Sequence, residues 1–203
     1  MQCRRLRGDR PRRSGGGAGR RAGATCFGRS ATTTGISGTP GADVIIGTAG
    51  ADVIDGLGGD DLFCGPGGED RLVGGPGADS VDGEDGDDTL IGDNFGATGG
   101  VTAATGQDLL FGRAGNDSLV GDNSAQQGAA VGASADHLFG GPGDDSMVGD
   151  SRGDTASGGA NDRLEGGDGN DSLIGDALGF FGASGAGDDV LLEGPGEFGD
   201  ATG

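Results

Sequence analysis

From Gly38 to Ile91 one apolar residue recurs every nine positions, at Ile45, Ile54, Phe63, Leu72, Val81 and Leu90. The stretch divides into six unbroken nonapeptides: GTPGADVII, GTAGADVID, GLGGDDLFC, GPGGEDRLV, GGPGADSVD and GEDGDDTLI. Each carries Gly at positions 1 and 4, Asp at position 6 and the apolar residue at position 8. A fixed period of this kind sets the architecture before any propensity argument does. Positions 1 to 6 need sharp reversals, which glycine permits at no steric cost, and so predict a loop. Positions 6 to 9 alternate as a very short strand requires, with position 8 facing one way and positions 7 and 9 the other. One unit buries almost nothing alone. Coiled with two nonapeptides per turn, the units bring their position-8 side chains together between two parallel sheets, with glycine loops along both edges.

After Ile91 the pattern changes in an orderly way. GRAGNDSLV (112–120), GGPGDDSMV (140–148) and GGDGNDSLI (166–174) alternate with long units at 92–111, 121–139, 149–165 and 175–192. Each long unit opens Gly-Asp, at Asp93, Asp122, Asp150 and Asp176, and closes on the usual strand signal: QDLLF, ADHLF, NDRLE and DDVLL. Numbered serially from Gly38, all four are odd repeats, so all four insertions should leave one edge of the roll side by side. Their Gly, Ala, Ser and Thr composition, with Phe95, Phe180 and Phe181, reads as loops rather than helices. A hidden degenerate repeat inside each is disfavoured, because its position 8 would fall on Gly99, Gly128, Ala156 and Gly182. The predicted inward column of the odd sheet is Ile45, Phe63, Val81, Leu110, Leu138, Leu164 and Leu191. That of the even sheet is Ile54, Leu72, Leu90, Leu119, Met147 and Leu173. Outward at position 9, Ile91, Val120, Val148 and Ile174 form an aliphatic ridge, read either as a partner surface or as ordinary β-propensity on a sheet face.

Composition sharpens this picture. Gly accounts for 52 of 203 residues, and Trp and Tyr are absent. Without a period this would suggest disorder; with one it suggests a solenoid whose core is a narrow ladder. Residues 1–37 hold nine Arg and one Asp, whereas residues 38–203 hold four Arg and 32 acids. So acidic a roll should depend on bound cations to close.

The candidate chemistry lies at position 6. Asp43, Asp52, Asp61, Asp70, Asp79, Asp88, Asp108, Asp117, Asp136, Asp145, Asp162, Asp171 and Asp189 fill it in every repeat. Stacking places each one strand spacing, about 4.8 Å, from the Asp two repeats on. Columns of carboxylates so close repel unless a cation lies between them. Tight turns also aim backbone carbonyls at the same point, and that mixed oxygen set with loose geometry suits Ca²⁺ better than Mg²⁺. Position 4 departs from Gly at Ser134 and Ala160, both in long units. The even edge keeps six intact loops and therefore five inter-loop sites, the odd edge three loops and two sites. Past Asp79 the position-2 acids are expected to support looser or absent ion binding, so Asp117→Ala should weaken calcium-induced folding more than Asp136→Ala.

The repeat resembles the haemolysin-type, or RTX, calcium-binding nonapeptide G-G-x-G-x-D-x-U-x over about four-fifths of the chain. The resemblance implies a right-handed parallel β-roll holding several Ca²⁺ ions between successive turns, through position-6 Asp side chains and loop carbonyls. It also implies secretion in an unfolded form and folding outside the cell. Cys26, followed by ATTTGISGTPGADVI and then by Cys64, resembles secreted actinobacterial members, in which the two cysteines are expected to pair; two free thiols are the alternative. A regular stack would hold the two cysteines about 10 Å apart, so the flank would have to fold back. Cys3 is left over.

The expected organisation is a basic, disordered segment at 1–28, a degenerate capping repeat at 29–37 with Thr34 and Ile36 in the Asp and inward positions, the calcium-binding β-roll at 38–193, and a tail at 194–203 without a strand signal. Residues 1–23 read as a disordered tail, as a start placed too early, or as a basic arm for polyanions, and no nucleic-acid partner is expected. No apolar run approaches the ~18 residues of a transmembrane helix. Gly149-Asp150-Ser151-Arg152-Gly153 matches a nucleophile elbow on paper, but the single histidine, His137, stands at an outward position and no α/β pattern surrounds the serine. The expected function is an extracellular calcium-binding β-roll without catalysis of its own. The alternative is the calcium-binding and secretion module of a larger secreted hydrolase or adhesin.

Overall fold

The computed structural model describes residues 25–30, 37–194 and 200–202. The predicted capping residues Thr34 and Ile36, and the arginine-rich residues 1–23, lie outside these. Among the described residues there is no helix, and hence none long and apolar enough to cross a membrane.

Two parallel sheets of seven strands face one another, and the repeats alternate between them. The odd sheet stacks Val44–Ile46, Leu62–Cys64, Ser80–Asp82, Leu109–Phe111, His137–Pro142, Arg163–Asp168 and Val190–Leu192. The even sheet stacks Val53–Asp55, Arg71–Val73, Thr89–Ile91, Ser118–Val120, Ser146–Val148, Ser172–Ile174 and Asp200–Thr202. Register is set by position 8: Ile45 pairs with Phe63, Phe63 with Val81, Val81 with Leu110 and Leu110 with Leu138. The two inward columns are those read from the period. They pack into one cluster of fully buried side chains, with Leu191 partly buried at the end.

Glycine at position 1 follows from the stacking. A Cβ at Gly56 would fall on the Gly74 carbonyl oxygen of the next rung and on the Asp61 carboxylate of its own loop. At position 4, Gly68 has φ 118°, and a Cβ there would meet the Ala51 nitrogen at 2.5 Å.

Three expectations need correction. The first concerns the insertions, which are not loops. They form a third parallel sheet, in which Phe95–Gly96 stacks on Ser124–Ala125 and then on the first part of Arg152–Ser157. Val101–Thr102 stacks likewise on Ala129–Val131, and both rows converge on Arg152–Ser157 and Leu178–Ser184. Bulky inward residues are not needed because this sheet packs through alanine: Ala125, Ala130 and Ala156 are buried. An asparagine ladder reinforces it, with Asn94 Nδ2 donating to Asn123 Oδ1 at 3.0 Å and Asn123 Nδ2 to Val131 O at 2.6 Å. The insertions do emerge side by side from one edge, as the parity of the repeats requires.

The second correction concerns the aliphatic ridge. Ile91, Val120 and Val148 are 1–2% exposed, and Ile174 is half-buried. The third sheet folds back over the outer face of the even sheet. The Arg71 guanidinium lies 4.6 Å from the Phe95 ring centroid, and Arg152 Nη1 donates to Ser118 Oγ at 3.4 Å. Exposed aromatics stand instead on the last insertion, at Phe180 and Phe181.

The third concerns the C-terminal residues, which do carry a strand. Asp200–Thr202 continues the even sheet, Ala201 pairing with Leu173. That strand reads Asp-Ala-Thr and holds no bulky apolar residue, which is why no strand signal stands out in EGPGEFGDATG.

At the other end the flank folds back. Thr25–Cys26 and Arg29–Ser30 form an antiparallel hairpin turning at Phe27 and Gly28, both with positive φ (48° and 81°). It lies against outward positions of the odd sheet, where Cys26, Val44 and Cys64 are buried with Phe27, Ile46 and Leu62 packed around them. Phe27 continues along that face to Phe111 and Phe139, with centroid separations of 6.1 and 5.0 Å. Cys26 and Cys64 are joined by a disulfide, Cα to Cα 5.5 Å, across a separation of 38 residues. Closing a loop of that length contributes about 3–4 kcal/mol through the unfolded state. Cys64→Ser should therefore lower calcium-saturated stability by that amount in urea titrations. An unchanged midpoint would show that the hairpin adds nothing.

Candidate metal centre

The position-6 aspartates form two ladders, one along each edge. On the odd edge the Asp43 N–H donates to Asp61 Oδ1 at 2.7 Å, Asp61 to Asp79, Asp79 to Asp108, Asp108 to Asp136, Asp136 to Asp162 and Asp162 to Asp189. On the even edge the same relay runs Asp52, Asp70, Asp88, Asp117, Asp145, Asp171. One carboxylate oxygen of each rung is thus spent on the main chain of the rung before it.

The other oxygen is left over. Oδ2 of Asp61, Asp70, Asp79, Asp88, Asp108, Asp117, Asp145, Asp162 and Asp189 is buried without a hydrogen-bond partner. It points back over its own loop, as its closeness to the position-1 glycine shows. A buried carboxylate oxygen with no donor is costly, and a row of them more so. A hard cation that also takes main-chain carbonyls removes that cost, so the donor set fits Ca²⁺. Among the described residues no three His, Cys, Asp or Glu side chains converge on one point. Any ion here must therefore draw most of its ligands from the loop backbone.

The first rungs differ. Asp43 Oδ2 accepts from Thr39 N at 2.6 Å and Thr39 Oγ1 at 2.8 Å, and Asp52 Oδ2 accepts from Thr48 N at 2.5 Å and Thr48 Oγ1 at 3.0 Å. Threonine at position 2 supplies there the donors that the later loops lack.

Without a cation the carboxyls resist ionisation. Burial pushes Asp61 and Asp117 up to about 6 and Asp79, Asp88 and Asp145 up to about 7, from the usual 3.8, against the lowering effect of the ladder hydrogen bond. On the inserted edge Asp108 and Asp136 reach about 10. Burial is again the main cause, followed by the charge of Asp136 on Asp108 and of Asp122 on Asp136. Asp93, Asp122 and Asp150 are raised as well, chiefly by burial.

The serine of the elbow-like motif is fully buried, and its Oγ donates to Gly132 O at 3.3 Å. His137 is exposed on the odd sheet. The motif therefore presents no open nucleophile. Sequence reasoning missed the burial of the position-2 acids Asp93, Asp122 and Asp150, although the recurring Gly-Asp opening was visible.

A family model described as the RTX calcium-binding nonapeptide repeat (4 copies) matches residues 37–70, 65–96, 101–125, 130–156 and 156–177. No curated protein and no solved structure matches the chain. Matched over more than half its length by that model, and built as a parallel β-solenoid, the chain belongs to the RTX calcium-binding nonapeptide repeat family.

Proposed function

We propose that this chain is an extracellular calcium-binding β-roll whose folding is coupled to the ion and which performs no catalysis of its own. RTX nonapeptide repeats bind Ca²⁺, and the roll carries many buried repeat aspartates suited to several ions. The observation that carries the finer reading is the row of donorless Oδ2 atoms on both edges. Nine of the position-6 aspartates from Asp61 to Asp189 hold the preceding rung with one oxygen and offer the other, with loop carbonyls, to an ion. In its absence those carboxylates repel along each column, and the narrow core cannot offset them. Ion binding free energy then becomes folding free energy. Extracellular calcium modules bind at about 10⁻⁴–10⁻³ M, so such a roll would be open inside a cell and closed outside it. The buried Cys26–Cys64 disulfide supports an oxidising location.

Far-UV circular dichroism across a calcium titration tests this. The expected result is a coil-like spectrum in chelator and a β-rich one in millimolar Ca²⁺, with Mg²⁺ a poor substitute because its strict octahedral shell does not suit shared loop carbonyls. A spectrum that stays the same throughout would sink the reading.

A further inference from the structure

Past Asp79 the odd edge carries a second acid in every rung. Asp93, Asp122 and Asp150, at position 2, are all fully buried, and Asp176 continues their row half-buried. Each accepts one main-chain bond across the neck of its insertion: the three buried acids a long one, from Gly106 N, Ser134 N and Ala160 N at 3.3 Å, and Asp176 a shorter one from Gly187 N at 2.8 Å. Asp122 Oδ1 also accepts from the Ser134 hydroxyl. The remaining oxygens Asp93 Oδ1 and Asp150 Oδ2 are buried with no partner, and so are Asp108 Oδ2 and Asp162 Oδ2, which lie over Gly92 and Gly149, the residues just before Asp93 and Asp150. The ion pairs Arg113–Asp82 and Arg163–Glu165 do not involve these acids.

A neck that needed only an acceptor would be served by asparagine at far lower desolvation cost. The chain uses asparagine in that way one residue further on, in the Asn94–Asn123 ladder. Charge at position 2 therefore calls for a positive partner, and no salt bridge among the described residues supplies one.

We infer that the inserted edge holds its own row of divalent-cation sites, in which the position-2 acids Asp93, Asp122 and Asp150 join Asp108, Asp136 and Asp162 as ligands beneath the insertion necks. The sites take hard, oxygen-seeking ions, calcium above all, through two carboxylates per rung and neighbouring main-chain oxygens. The edge read from its loops as looser or empty thus becomes the more highly charged of the two. The ions would also tie each neck shut and so hold the third sheet on the roll. This rests on the calcium reading above, extended to residues outside the nonapeptide pattern.

The test is the number of Ca²⁺ ions bound per chain in equilibrium dialysis, together with the calcium midpoint of folding, for the full chain and for D93N/D122N/D150N. Asparagine keeps the neck acceptor and removes the charge. The expected variant folds, binds fewer ions than the parent, and needs calcium raised by at least about tenfold at its midpoint. Unchanged ion number and midpoint would overturn the inference, leaving the acids as neck acceptors while even-edge binding stands. If the triple variant fails to fold at any calcium level, Asp150→Asn alone decides by the same two outcomes. A parent chain that binds no calcium overturns the functional reading and this one together, whereas a parent and variant that bind calcium alike overturn this one alone.

Discussion

Calcium-stripped protein should gain β-structure when the pH is lowered from about 8 to about 4, with no metal added. The sign follows from the direction of the shifts. Asp79, Asp88 and Asp145 rise to about 7 in the folded roll and Asp108 and Asp136 to about 10, against 3.8 for the open chain. A raised folded value stabilises the fold below the open-chain value, and the contribution is lost as pH climbs through the folded one. The metal-free roll should thus be most stable near and below about pH 4 and lose that support progressively between about pH 4 and 10, most steeply below about pH 7, where all five groups contribute. Protons and calcium solve the same problem, since either removes the net negative charge from the ladders. Calcium should accordingly change the circular dichroism greatly at about pH 8 and little at about pH 4, where these buried carboxyls of the folded roll are protonated and offer the ion no charge. A chain still coil-like in acid would show that repulsion is not the barrier and that bridging by the ion itself is required.

What the sequence made legible is what the nine-residue period controls directly. Position 8 must be apolar in every repeat, because a one-file core has no alternative residue to offer; both inward columns could be named from Ile45 to Leu191. Position 6 must be Asp, because its two oxygens do different work, one in the ladder and one facing the loop. The third sheet was illegible for the opposite reason. Its contacts run through Ala125, Ala130 and Ala156, small residues that also fill ordinary loops, and four of its six strands, of two or three residues, leave no alternation to count. The aligned segments Val101–Thr102, Ala129–Val131 and Thr155–Ser157 repeat at the spacing of the long units, not at nine. The ridge was misjudged as a consequence, since what covers Ile91, Val120 and Val148 is that same sheet. The role of position 2 was hidden because only the fold shows that Asp93, Asp122 and Asp150 are covered.

The core itself should be intolerant of truncation at mid-stack. Leu119 is fully buried and sits in register between Leu90 and Met147. Each sheet contributes one inward side chain per rung, so no second layer can collapse into the space that Leu119→Ala would leave. The cost should lie toward the upper part of the range for buried leucines, about 3–5 kcal/mol. It should also change the shape of the transition. Rungs in a solenoid are held by their nearest neighbours, so a weak rung in the middle divides the stack into two blocks that no longer unfold together. Urea unfolding in saturating calcium should therefore show a lower first midpoint and a second, separate step for Leu119→Ala. Val53→Ala, at an outward position of the same sheet and 55% exposed, should shift a single transition by less than about 0.5 kcal/mol. A Leu119→Ala chain that unfolds in one step, with a loss no larger than that of Val53→Ala, would mean that calcium bridging along the edges, and not the file of inward side chains, holds successive turns together.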